Sequence, residues 1–168
     1  MTNTAPSLAT PNPAIPRPAH ADLAIDSEVA LLIDLLKLGT FIGGPMREGV
    51  ADPMGITPTD LRIVLALGGE GELAGHELSD IMGVAPMNVS RAVTSLIQRG
   101  LVEPGLDQTN RRRKPVRLSD EGQALFSRTL PIMAKVSADL FKGVPVRDRE
   151  AFRRTAATVL GRIGRLTP

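Results

Sequence analysis

The chain has 168 residues, a formal charge of +2, 42% hydrophobic residues, 2% aromatic residues and no cysteine. That length suits one domain with a real core, and the missing cysteines exclude disulfides, thiolate metal sites and cysteine-based redox sensing. His20 and His76 are the two histidines and make no zinc site by themselves, so no metal or cofactor is expected.

Residues 1–21 hold Pro6, Pro11, Pro13, Pro16 and Pro18 among Ala, Thr and Asn. This composition predicts a disordered arm with nothing to bury. It lacks the charged and apolar regions of a signal peptide. A helix is expected from Asp22 to about Phe41. Its apolar residues Leu23, Ile25, Val29, Leu31, Leu32, Ile33, Leu35, Leu36 and Leu38 cover more than one face. Such a helix is buried on several sides, and a second subunit is the natural cover. Gly43-Gly44-Pro45 should interrupt or end it. The run from Leu31 to Leu38 is short and carries Asp34 and Lys37, so no transmembrane helix is expected.

Thr57-Pro58-Thr59-Asp60 reads as a helix start, with an N-cap Thr, Pro in the first turn and an acid three residues after the cap. A short core helix, Leu61 to Leu67, should follow, with Gly68 to Glu72 as its loop. A helix from Leu73 to Met82 stops at Gly83, and the next runs from Pro86 to Gln98 and ends at Gly100. Leu101-Val102 and Val116-Arg117-Leu118 predict a β-hairpin with a polar, Arg-rich tip around Asp107 to Lys114. Ser119 caps a helix reaching about Phe141, with Pro131 expected to kink it. A last helix, about Val146 to Ile163, places Phe152, Ala156, Val159, Leu160 and Ile163 on one stripe. The fold class expected is mainly α with a small β-hairpin wing. The domains read as an arm at 1–21, a dimerisation helix and loop at 22–56, a winged helix-turn-helix at 57–118 and dimerisation helices at 119–168.

Two short helices meeting at a glycine turn, followed at once by a basic hairpin, suit a DNA reader. Between Pro86 and Leu118 stand Arg91, Arg99, Arg111, Arg112, Arg113, Lys114 and Arg117 against Glu103 and Asp107, a local excess of +5. A basic excess gathered in one stretch is the footprint of a polyanion-binding face. In the Pro86 to Gln98 helix, Val89, Val93, Leu96 and Ile97 form the expected buried stripe. Met87, Asn88, Ser90, Arg91 and Thr94 occupy the other face near the N-terminus. Recognition helices read bases from that part. Asn pairs with adenine, Arg with guanine, and Met87 could contact a thymine methyl. At the hairpin tip, Arg111, Arg112, Arg113 and Lys114 would enter a narrow minor groove or take phosphates. An ordinary amphipathic helix with a solvated charged loop is the competing reading, and the attached hairpin disfavours it.

Gly100-Leu101-Val102-Glu103, then Asp107 to Lys114, Val116-Arg117-Leu118-Ser119 and Gly122 resemble the wing of the MarR family of winged helix-turn-helix transcriptional regulators. The likeness covers roughly residues 22–166. It implies that Arg112 is the wing Arg entering the minor groove. Asn110 stands where the family usually has a bracing Asp; an Asn accepts a hydrogen bond but forms no ion pair. Pro104 replaces a frequent Arg, and Ala74 a common capping Ser or Thr.

With no transmembrane helix or signal peptide expected, a cytoplasmic protein is expected; the resemblance further implies a homodimer on a pseudo-palindromic double-stranded site. It also implies a small aromatic or anionic effector bound between the dimerisation and DNA-binding regions, whose binding lowers DNA affinity. The candidate walls are the loop Gly43 to Gly55 and the facing helices, with Arg47 or Arg62 meeting the anion. The function expected is a ligand-responsive repressor. The alternative is an architectural winged-helix DNA binder without a ligand. No enzyme is expected: no His stands in a triad-like setting, and Gly68-Gly69-Glu70-Gly71 lacks the Lys of a nucleotide loop.

Overall fold

The structure, a computed structural model, describes residues 26–106 and 114–166. It divides into two compact units, the first ending at Val136 and the second beginning at Ser137.

Helix α1 (Ser27–Phe41) starts at Asp26, whose side chain accepts from the Glu28 N–H at 2.9 Å. None of its residues is buried by the chain itself. It does not stop at the glycines. After Ile42 the backbone continues as α2 (Gly43–Met46), a π turn (Arg47–Ala51) and a 3₁₀ turn (Asp52–Met54). Ile42 keeps helical dihedrals (φ −61°, ψ −25°), and the Met46 N–H still reaches the Ile42 carbonyl at 3.2 Å. Pro45 removes one donor and leaves the path of the chain helical. The expected loop at 43–55 is therefore largely helix, and Val50 and Ala51 on it are fully buried. The helical run Ser27–Met54 is, by length and composition, long and apolar enough to cross a membrane. The sequence reading missed this because it ended the helix at the glycines.

Helix α3 (Pro58–Glu70) opens with the expected cap. The Thr57 hydroxyl accepts from the Asp60 N–H and the Asp60 carboxylate from the Thr57 N–H, both at 3.1 Å. This reciprocal pair satisfies two N–H groups at the helix start. The helix runs through Gly68 and Gly69, which were expected in a loop. Leu73, expected to begin the next helix, instead forms a β-bridge with Val116: each N–H donates to the other's carbonyl, at 3.1 and 2.8 Å. Helix α4 (Gly75–Met82) starts after Ala74, whose N–H donates to Glu77 Oε2 at 2.7 Å; alanine offers no acceptor in return. Gly83 turns the chain in the left-handed region, and the Ser79 hydroxyl donates to the Val84 carbonyl across the turn.

Helix α5 (Pro86–Gln98) leads into β1 (Val102–Pro104) and β2 (Val116–Leu118), an antiparallel pair with Val102 opposite Leu118 and Pro104 opposite Val116. Ser119 caps α6 (Asp120–Leu140): its hydroxyl accepts from the Gly122 N–H at 3.1 Å and donates to the Gly100 carbonyl at 2.6 Å. The core of this unit is aliphatic, as the composition requires. Val50, Ile63, Val64, Leu67, Leu78, Val89, Leu96, Val102, Leu118, Leu125 and Val136 are buried together, and Phe126 packs half-buried against them. In the second unit the end of α6 is followed by α7 (Val146–Leu166), on which Phe152, Leu160 and Ile163 are exposed.

Candidate DNA-binding surface

Helices α4 and α5 and the Gly83 turn make a helix-turn-helix, and the β1–β2 hairpin follows α5 directly. Burial on α5 follows the helical period: Val89 and Leu96 are fully buried, while Ala92 and Val93 are half-buried against the core. Ile97, expected in that stripe, is exposed. It lies one position past the buried turn, on the flank where Ala92 stands on the other side. The expected reading residues Met87, Asn88, Ser90, Arg91 and Thr94 are all exposed. Met87 is 65% exposed although apolar. The Thr94 hydroxyl donates to the Ser90 carbonyl at 2.8 Å.

In the hairpin, the Gly105 N–H donates to the Pro115 carbonyl at 2.8 Å, carrying the ladder beyond β1. The Leu106 N–H donates to Glu72 Oε1 at 2.8 Å, which ties the outgoing strand to the segment before α4. Lys114 is exposed and holds a positive φ of 43°. Arg111, Arg112, Arg113 and Asn110 lie outside the described residues.

Not every cation in the basic stretch faces outward. Arg117 pairs with Glu103, its cross-strand partner, and its Nε is buried without a hydrogen-bond partner. Arg99 pairs with Asp60 at 3.3 Å. Glu103 is already subtracted in the local excess of +5, so only the Arg99–Asp60 pair, whose acid lies outside the stretch, lowers the charge on offer to a polyanion. Neither internal pair was visible in the sequence, since their members are brought together by strand register and by helix packing.

Arg47 and Arg62 are both exposed, and Arg47 pairs with Glu48 at 3.1 Å. Neither lines the cleft of about 470 Å³ in the second unit. That cleft is bounded by Phe141, Val146 and Phe152 together with Arg149, Arg153 and Glu150. Two guanidinium groups beside two phenyl rings form an amphipathic lining that the sequence reading did not single out. The signal was present, since Arg149 and Phe152 are three positions apart on one helix.

Comparison with known proteins agrees with this arrangement. Residues 54–113 match the sequence model of the MarR family. No curated protein sequence matches the chain. Among solved structures, the transcriptional regulator BldR from Sulfolobus solfataricus superposes with a TM-score of 0.73 at 19% identity, over 83% of this chain and 98% of that one. A MarR-family regulator from Rhodococcus gives 0.69 at 21% identity, over 80% and 94%. A MarR-family regulator from Silicibacter pomeroyi gives 0.65 at 24% identity, over 82% and 90%. The helix-turn-helix and hairpin thus define a winged-helix fold of the kind seen in those regulators. Residues 54–113 are similar to the MarR family in sequence, and the fold around them is the one shared by the solved MarR-family regulators.

Proposed function

We propose that the protein is a cytoplasmic, ligand-responsive repressor that binds a pseudo-palindromic duplex as a homodimer. The observation that carries the DNA-reading part is the exposed face Met87, Asn88, Ser90, Arg91 and Thr94 on α5, directly followed by the β1–β2 hairpin with exposed Lys114; in sequence, Arg111, Arg112 and Arg113 stand between its two strands. Asn88 and Arg91 offer base-edge hydrogen bonds, and the hairpin cations take phosphates or enter the minor groove. Residues 57–118 form the reading domain. Residues 22–56 and 119–168 supply dimerisation, with the apolar surface of α1 covered by the second copy. Leu31, Leu32, Leu35, Leu36 and Leu38 are 42–66% exposed in a single chain, far more contiguous apolar surface than a lone helix leaves in water. The effector is a small aromatic or otherwise amphipathic anion. Arg47 and Arg62 are its candidate partners near the linker, and the cleft at Arg149 and Arg153 has the complementary chemistry.

Fluorescence anisotropy tests this reading. A duplex from upstream of the protein's own gene is compared with a scrambled duplex over a salt series. A specific regulator prefers the upstream duplex and weakens steeply as salt rises, by about 0.9 in log K per log salt for each phosphate neutralised. Equal binding to both duplexes would favour the architectural alternative. The same assay then screens aromatic carboxylates for release of the DNA.

A further inference from the structure

One guanidinium joins three elements. Arg99 is the C-cap of α5. Its Nη1 donates to Asp60 Oδ2 at 3.3 Å and its Nη2 to the Gly55 carbonyl at 3.2 Å. Asp60 is the buried acid of the α3 cap, with its side chain 5% exposed. Gly55 ends the long helical run in the left-handed region, at φ 65°. That run carries a π turn at Arg47–Ala51, an arrangement frequent at functional positions of helices. The end of the reading helix, the start of α3 and the end of the helix leading in from α1 are therefore held by a single planar fork. A fork of this geometry is available to Arg and not to Lys, whose ammonium is a point charge.

We propose that Arg99 is a positioning residue for DNA reading: it fixes the orientation of α5 relative to the helical run that ends at Gly55, and it is not a phosphate contact. Its place in the basic stretch makes it look like a DNA-binding cation; its bonds point inward. Loss of the fork leaves Asp60 with the Thr57 N–H and the positive end of α3, so the carboxylate keeps partners and the head stays folded. What is lost is the angular restraint on α5. In a dimer, that restraint sets the separation of the two reading helices, so the inference rests on the homodimer reading above.

The test uses the full-length chain with Arg99→Gln, Arg99→Lys, Asp60→Asn and the double variant Asp60→Asn/Arg99→Gln. Affinity is measured by anisotropy for duplexes carrying two half-sites at the native spacing and at spacings one base pair longer or shorter. The parent must prefer one spacing; if it does not, the dimer reading fails and not the role of Arg99. A positioning role predicts that Arg99→Gln and Arg99→Lys both flatten the spacing preference several-fold while the salt slope stays at the parent value. It also predicts that Asp60→Asn has the same effect and that the double variant is no worse than either single one. A salt slope reduced by about one, with Lys restoring it, would identify Arg99 as a phosphate contact and overturn the proposal. An unchanged spacing preference in every variant would overturn it as well, as would a fall in affinity that is uniform over all spacings and tracks lost folded fraction by circular dichroism.

Discussion

Gly68 lies against the ring of Phe126: a Cβ built on Gly68 would stand 2.5 Å from both Cδ2 and Cε2 of that ring. Gly69, the next residue on the same helix, has nothing within 4 Å of its own built Cβ. Two glycines side by side thus have opposite reasons to be there. The first admits the edge of α6 to the surface of α3; the second only adds backbone freedom to an exposed helical position.

Gly68→Ala should therefore destabilise the protein by about 1–3 kcal/mol, the range for overpacking a filled site. Gly69→Ala should stabilise it by about 0.5–1 kcal/mol through helix propensity. Urea unfolding followed by circular dichroism measures both. Equal effects of one sign would mean that α3 and Phe126 do not meet as described.

The Thr57 cap has a separate, local value. Thr57→Ala removes the acceptor for the Asp60 N–H and should lower stability by about 1 kcal/mol. For a chain of this size that is about 2–4 °C in Tm. Thr57→Ser keeps the hydroxyl and should stay close to the parent by differential scanning calorimetry.

On the DNA face, Asn88→Ala and Arg91→Ala should each weaken specific binding by about 1–3 kcal/mol and relax preference at particular bases. Arg112→Ala should instead weaken binding to all sequences and reduce the salt slope by about one if the residue takes a phosphate. Anisotropy with a panel of single-base variants separates the two behaviours. If all three variants bind like the parent, the interface lies elsewhere.

The apolar surface of α1 provides the test of assembly. Leu32→Glu and Leu36→Glu place charge at positions 56% and 64% exposed in the single chain, where the isolated fold tolerates it. Light scattering after size exclusion should show a dimer for the parent and a monomer for the double variant with native helix content. Removal of residues 1–21 should leave the dimer intact.

Much of the head was legible because its signals are local. Thr57-Pro58-Thr59-Asp60, Gly83, Pro86 and Ser119 each act within one turn of chain, and each sits where its chemistry placed it. The failures have one physical origin. Gly43-Gly44-Pro45 and Gly68-Gly69 read as breaks because glycine and proline weaken helices in isolation. Packing of Val50, Ala51 and Phe126 against the core overrides that preference. Leu73 looked like the first residue of an amphipathic helix, and its pairing with Val116, 43 positions on, cannot be seen locally. The same holds for the internal partners of Arg99 and Arg117. The count of charges between Pro86 and Leu118 includes Glu103, the partner of Arg117, and misses one nonlocal carboxylate, Asp60, which pairs with Arg99.

In the function proposed, two copies of α5 read a symmetric duplex through Asn88 and Arg91. Selection of binding sites from a random duplex pool, run with the parent and with Asn88→Ala, tests it most directly. The parent should select a pseudo-palindrome with half-sites one turn of DNA apart, about 10–10.5 base pairs. Asn88→Ala should select the same spacing with information lost at one position in each half-site. A pool with no enriched motif, or a motif from Asn88→Ala identical to the parent's, would contradict it.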